Sequence, residues 1–317
     1  MTAPLLQKEV SKDIASGVLI TSLIFAASIF MPVIGFFFSI FVPLPVLFYR
    51  SKLGRTTGII VPAVTLIVVA VIIGGISMDT LFFAGLMLLG FSLSELMEKK
   101  MSIEKTMGFA CLTVIGSGGF ALILYSITQG IGIYSLISNY VAGNLELSLA
   151  LYKGIGIPQE TIDAITASID KIQYVLVRLL PAFTVAATLF VAWTNLLVAK
   201  SFFQRRGIFY PDFGQLNLWR APEQIIWILI GSGLLLIVPE SGLKMIGING
   251  IIVMMTVYFF QGIAIVSHYF QKKQMPRLFR ILFYCLIAIQ QLALAAVILL
   301  GIFDMWINFR KIDAKNS

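Results

Sequence analysis

The sequence predicts an all-α protein: a polytopic transmembrane helical bundle of eight or nine spans with an extracytoplasmic amphipathic helical insert. Three observations predict it. Of 317 residues, 59% are hydrophobic and only 12% charged, about half the charged share of a soluble domain. The apolar residues gather in runs close to the ~20 that cross a bilayer. The basic residues collect in the short stretches between those runs, where membrane topology places them. The reading is a single integral membrane domain over residues 1–317 whose first partner is the lipid bilayer. The net charge of +8 then reflects topology and not nucleic-acid binding.

The apolar runs fall at roughly 14–31, 34–49, 58–77, 80–97, 107–128, 174–199, 223–239, 245–268 and 281–303. Only Met31-Pro32-Val33 separates the first two. They are either two short spans with a tight turn or one span and a re-entrant piece, so the count is nine or eight. Helices satisfy their own backbone in hydrocarbon, and no strand-like alternation competes.

Orientation follows from Lys and Arg. Arg50, Lys52 and Arg55 follow the second run, and Lys99, Lys100 and Lys105 the fourth. Lys200, Arg205, Arg206 and Arg220 follow the sixth, and Lys272, Lys273, Arg277 and Arg280 the eighth. These are fourteen of the 23 basic residues, and they assign their side to the cytoplasm. The tail, with Arg310, Lys311 and Lys315, then falls outside, which conflicts with the same rule. Either the earlier loops dominate, or one span after Arg280 is miscounted.

The extracytoplasmic insert covers residues 129–173. Pro158 opens a helical pattern in which Ile162, Ile165, Ile169 and Ile172 form one stripe, with Glu160, Asp163 and Asp170 off it. The segment is either a lid or a connector burying its isoleucines on the bundle.

Chemistry is sparse. A single histidine, His268, leaves no two-histidine metal site and no Ser/His/Asp set. Gly116-Ser117-Gly118-Gly119 lies within an apolar run without a following lysine, and reads as close helix packing. The expectation is a non-enzyme with no catalytic residue, no metal and no cofactor. The candidates to line a pore or hold a ligand are the polar residues inside the runs: Glu95, Arg178, Asn195, Gln261, His268, Gln290 and Gln291. Each has a plainer role. Glu95 can pair with Lys99 at i,i+4. Arg178 can snorkel or meet Asp170 or Glu146. The amides can bond helices together.

The cytoplasmic loop 200–222 mixes Arg205, Arg206, Trp219 and Arg220 with several aromatic residues. Such a surface suits anionic lipid or docks another membrane or cytoplasmic subunit, and those four residues are the docking candidates. Within LNLWRAPEQIIW (Leu216–Trp227), Pro222 fits a first helical position and Glu223 the first turn, where Arg220 can pair with it.

Pro32-x-x-Gly35 followed by PLPVLFYRSKLG (Pro43–Gly54), the long insert, and LNLWRAPEQIIWILIGSG (Leu216–Gly233) together resemble the YybS-like family of bacterial multi-pass membrane proteins. The likeness covers most of the chain. That family carries no established activity, so it implies a membrane fold and no site residue. More distantly, the chain is similar to the S components of energy-coupling-factor vitamin transporters, through Ser22-x-x-x-Ala26 on the first run. This implies a small-molecule solute, partner subunits and no ATPase of its own.

Overall fold

The computed structural model describes residues 3–31 and 34–310. Pro32 of the first motif and Lys311 and Lys315 of the tail lie outside the described residues. All nine apolar runs are helical, and among the described residues there is no strand. Seven helical segments are long and apolar enough to cross a membrane, or eight if one bent pair is counted as a span. The backbone groups into two compact units.

The first unit comprises residues 1–180 and 187–211. It contains α1 (Ala3–Phe30), α2 (Gly35–Ile40), α3 (Pro43–Leu53), α4 (Arg55–Gly58), α5 (Ile60–Ile73), α6 (Met78–Glu98), α7 (Ile103–Gln129), α8 (Ile133–Gly154), α9 (Gln159–Ala167) and most of α10 (Ile169–Arg206). Local chemistry sets the helix ends. Ser77 and Ser102 cap α6 and α7, accepting from Thr80 and Lys105 amides, with Asp79 and Glu104 in the first turns. α7 and α10 stop at Gly130 and Gly207, whose φ of 66° and 64° suit glycine.

The first two runs are two passes joined by a tight reversal. Gly35 sits against the Ser28 carbonyl, so α2 doubles back on the end of α1. Packing centres on Phe25 and Phe83, edge to face at 4.7 Å, with Val42, Val46, Leu47 and Leu93 fully buried.

In the insert, α9 begins after Pro158; Ile162 is buried while Glu160, Asp163 and Asp170 are exposed, as the stripe requires. The sequence pattern missed α8, because Asn139, Asn144, Glu146 and Lys153 interrupt its apolar residues. Side chains tie α8 down. Tyr140 donates to Asp79 at 2.6 Å and Gln173 to Ser138 at 2.8 Å. Burial first, then the Asp79 carboxylate, pushes the Tyr140 phenol up to about 12.

The second unit comprises residues 181–186 and 212–317. Its elements are α11 (Ile226–Leu235), α12 (Ser241–Lys272), α13 (Arg277–Ile289) and α14 (Gln291–Ile307). The run at 223–239 yields only a short helix, Glu223–Leu235 counting its 3-10 turn. Residues 216–222 before it, a 3-10 turn at Leu216–Leu218 and then irregular backbone to Pro222, lie along α12. Asn217 donates to Gln271, and the Ala221 amide to Gln261. The chain therefore makes the first part of this passage without α-helix.

The last run is not one span. α13 and α14 meet at 100° at Gln290, whose φ and ψ of −93° and 114° are extended. Tyr258 faces Gly301 and Met305, Gln261 faces Asp304, and Tyr269 bonds the Phe309 carbonyl. Residue numbers rise together, so α14 runs parallel to α12. α13 leaves from the Phe270 end of α12, where Phe283 and Tyr284 pack on Phe270. The chain returns to that same end at Phe309. α13 and α14 are thus a re-entrant pair, and Phe309 and Arg310 are on the side of Lys272 and not opposite it. The miscounted span resolves the conflict in the basic residues.

A topology reporter fused after residue 310 is expected to report the same side as one placed at Gln274. The opposite side for the C-terminal fusion would overturn the parallel arrangement.

Candidate functional site

Irregular backbone packed on a membrane helix leaves carbonyl and amide groups that hydrocarbon cannot satisfy. Residues 216–222 meet this demand with a buried ionic cluster. Arg310 donates through Nη1 to the Asn217 and Trp219 carbonyls at 3.1 and 2.9 Å. Its Nη2 reaches Asp304 Oδ2 at 2.6 Å. Both side chains are wholly inaccessible.

Asp304 holds more than Arg310. Its Oδ1 accepts the Phe309 amide at 3.0 Å, which fixes the turn after α14. Its Oδ2 accepts from Gln261 at 3.3 Å and lies 3.5 Å from Arg220 Nε. Arg220 also bonds Asn308, which adopts a left-handed φ of 44°. Trp219 packs against the core of Ala221, Ile226, Met254 and Tyr258. A lone charge in this setting would cost several kcal/mol, about 2.5–3.5 on insertion scales. Here one carboxylate is surrounded by donors, and one of them also secures the Asn217 and Trp219 carbonyls.

A second buried cation lies in the first unit. Arg50 of α3 is 1% exposed and pairs with Glu95 and Glu98 of α6. It donates to Ser94 at 3.3 Å and lies over the Phe91 ring. Gly90 lets α6 approach the Pro43 carbonyl so that these groups meet.

These positions correct several expectations. Glu95 pairs with Arg50 and Arg55 and not with Lys99, which is exposed. Arg178 stacks on Tyr174 at 3.4 Å and on Tyr134 at 6.0 Å from the ring centroids, in place of the acids expected for it. Two aromatic faces stabilise the cation. Asn195 is fully buried and donates to the Ile40 and Val191 carbonyls, both at 2.7 Å, which is the helix-bonding role. Gln261 belongs to the Asp304 cluster. His268 is half-buried, edge-on to Tyr269 at 5.8 Å. Gln290 and Gln291 are exposed at the helix break and not central in a span.

The docking set divides. Arg205 and Arg206 are exposed, whereas Trp219 and Arg220 turn into the second unit; the Arg220 partners are Asp304 and Asn308, not a local Glu223. Tyr210 of this loop donates to the Leu196 carbonyl at 3.0 Å, and burial raises its phenol. The glycines at 116, 118 and 119 meet nothing within 4 Å, so they serve no close packing within the described chain.

Sequence reasoning missed Arg50, Asp304 and Arg310. Arg50 was counted as a loop charge. Asp304 did leave a signal: it is the one acidic residue between Glu240 and Asp313 in a stretch holding several basic ones. A single buried carboxylate there predicts an arginine partner.

No solved structure matches this chain. The protein is similar to the uncharacterized protein YybS of Bacillus subtilis (strain 168), 23% identical over 291 residues that cover 89% of this chain and 91% of that one. A family described as predicted membrane protein (DUF2232) matches residues 19–305. That match takes in the Arg50 cluster, Asp304 and all but the last two residues of the re-entrant pair, and the chain belongs to this family of membrane proteins.

Proposed function

We propose that this protein binds a small solute in the bacterial cytoplasmic membrane and moves it across or passes it to partner subunits, in the manner of an S component. It is not an enzyme in this reading, and it relies on partners or a gradient for energy. The supporting observation is that the second unit keeps two breaks between its helices in its passage along α12, residues 219–222 and Gln290. Discontinuous helices at membrane depth are what solute paths are built from. A bundle that only anchors a chain has no use for them.

Purified protein is expected to gain thermal stability with one member of a vitamin, nucleoside and amino-acid panel. A ligand at a hundred times its Kd adds about 2.7 kcal/mol to the folded state. No shift across the panel would overturn the reading. The exposure of Phe202, Arg205 and Arg206 supports a second one, a scaffold recruiting cytoplasmic proteins through loop 200–222. Its signature in the same preparation is a co-purifying partner without any solute response.

A further inference from the structure

The second unit shows how this chain treats irregular backbone when protein covers it. Along residues 216–222, the Asn217 and Trp219 carbonyls, the Ala221 amide and the Asn217 side chain all have partners. The break between α13 and α14 is treated differently. Gln290 and Gln291 are exposed, and their side chains have no hydrogen-bond partner among the described residues. Gln290 makes no side-chain cap on α14, so the first amides of that helix are left open.

The depth of the break makes this informative. α14 is parallel to α12, with Gly301 against Tyr258. Gln291 is ten residues before Gly301, up to ~15 Å further from the Phe270 end. α12 is a 32-residue candidate span reaching back to Ser241. The break therefore lies inside that span, nearer its Ser241 end than its Lys272 end. Hydrocarbon cannot cover two free amides and an uncapped helix start at this depth; such backbone persists only against protein or water.

We infer that the α13–α14 tip, with Gln290 and Gln291 at its apex, lines a water-filled path and takes a small uncharged polar solute. The solute class follows from chemistry. Each amide offers two donors and one acceptor oxygen, and no charged residue occurs from Ile281 to Phe303 to balance an ion. The solute part of this inference rests on the proposed function, whereas water access to the tip does not.

The test is thiol labelling in native membranes, in a background with Cys111→Ala and Cys285→Ser. Cysteine is placed singly at 290, at 291, and at Leu299, half exposed on α14, as the lipid-facing reference. A charged, membrane-impermeant methanethiosulfonate is expected to react at least ten times faster with Gln290→Cys and Gln291→Cys than with Leu299→Cys. Equal rates would overturn the inference. Disulfide-linked dimers through Gln290→Cys would overturn it too, by assigning the tip to an interface between copies. Each variant is first checked for membrane insertion and monodispersity, and Gln291→Cys stands in where Gln290→Cys fails. Fast labelling without any solute-dependent stabilisation would remove the proposed function and leave the water path. Slow labelling with a solute response would do the reverse.

Discussion

Asp304→Ala is expected to be the most destabilising single change in the second unit, at about 3–5 kcal/mol, because it leaves a buried guanidinium without its counter-charge. Arg310 and Asp304 are both inaccessible, 2.6 Å apart. Without the carboxylate, Arg310 would have to leave the interior and release the Asn217 and Trp219 carbonyls. The Phe309 amide and one Gln261 donor would lose their acceptor as well. Asp304→Asn keeps an acceptor oxygen and is expected to cost less. Arg310→Lys keeps the charge but cannot reach two carbonyls and a carboxylate from one planar fork. It should therefore fall between the two.

The surface pair of Lys52 and Asp13 provides the contrast. It is nearly as short, at 2.7 Å, but Lys52 is 42% exposed, and Lys52→Ala should change stability by less than about 1 kcal/mol. Three of the four tryptophans, Trp219, Trp227 and Trp306, belong to the second unit. Thermal unfolding followed by tryptophan emission reads the effect there directly. An unchanged transition for Asp304→Ala would mean that the cluster does not hold the 216–222 segment in place.

The membrane fold was legible because it depends on composition and run length. Seven of the nine runs became long helices, and the reversal at Gly35 was one of two readings already open at Met31-Pro32-Val33. The other two runs differ for a common reason. Hydropathy registers apolar residues and not backbone direction. Residues 281–303 are apolar on both sides of Gln290, so a 100° break leaves the average unchanged. The site was less legible because its members are distant in sequence. Arg220, Asp304 and Arg310 each look like an ordinary boundary residue, and Gln261 like a lone amide inside a run, until one helix brings the others alongside. Local rules pointed instead to Lys99 for Glu95 and to Glu223 for Arg220, where the structure supplies Arg50 and Asp304.

That convergence depends on how closely α12 and α14 approach, and two glycines set the distance. A Cβ at Gly301 would meet the Tyr258 carbonyl, and one at Gly262 the Val297 carbonyl, both well inside contact distance. The obstructing atoms are helix backbone, which cannot rotate away as a flexible side chain can. Gly301→Ala is therefore expected to push α14 off α12, although alanine favours an isolated helix by ~1 kcal/mol. The displacement would separate Asp304 from Gln261 and Phe309 from Tyr269, so the Ala variant should lose stability on the scale of Asp304→Ala. Gly301→Leu should block assembly of the unit. Gly119→Ala is the control: nothing lies within 4 Å of that position, and the substitution should be neutral or stabilising. Thermal unfolding followed by tryptophan emission reads the effect, as for Asp304→Ala. An unchanged transition for Gly301→Ala would show that the helices tolerate the extra carbon. The close approach would then not be what brings Asp304 to its partners.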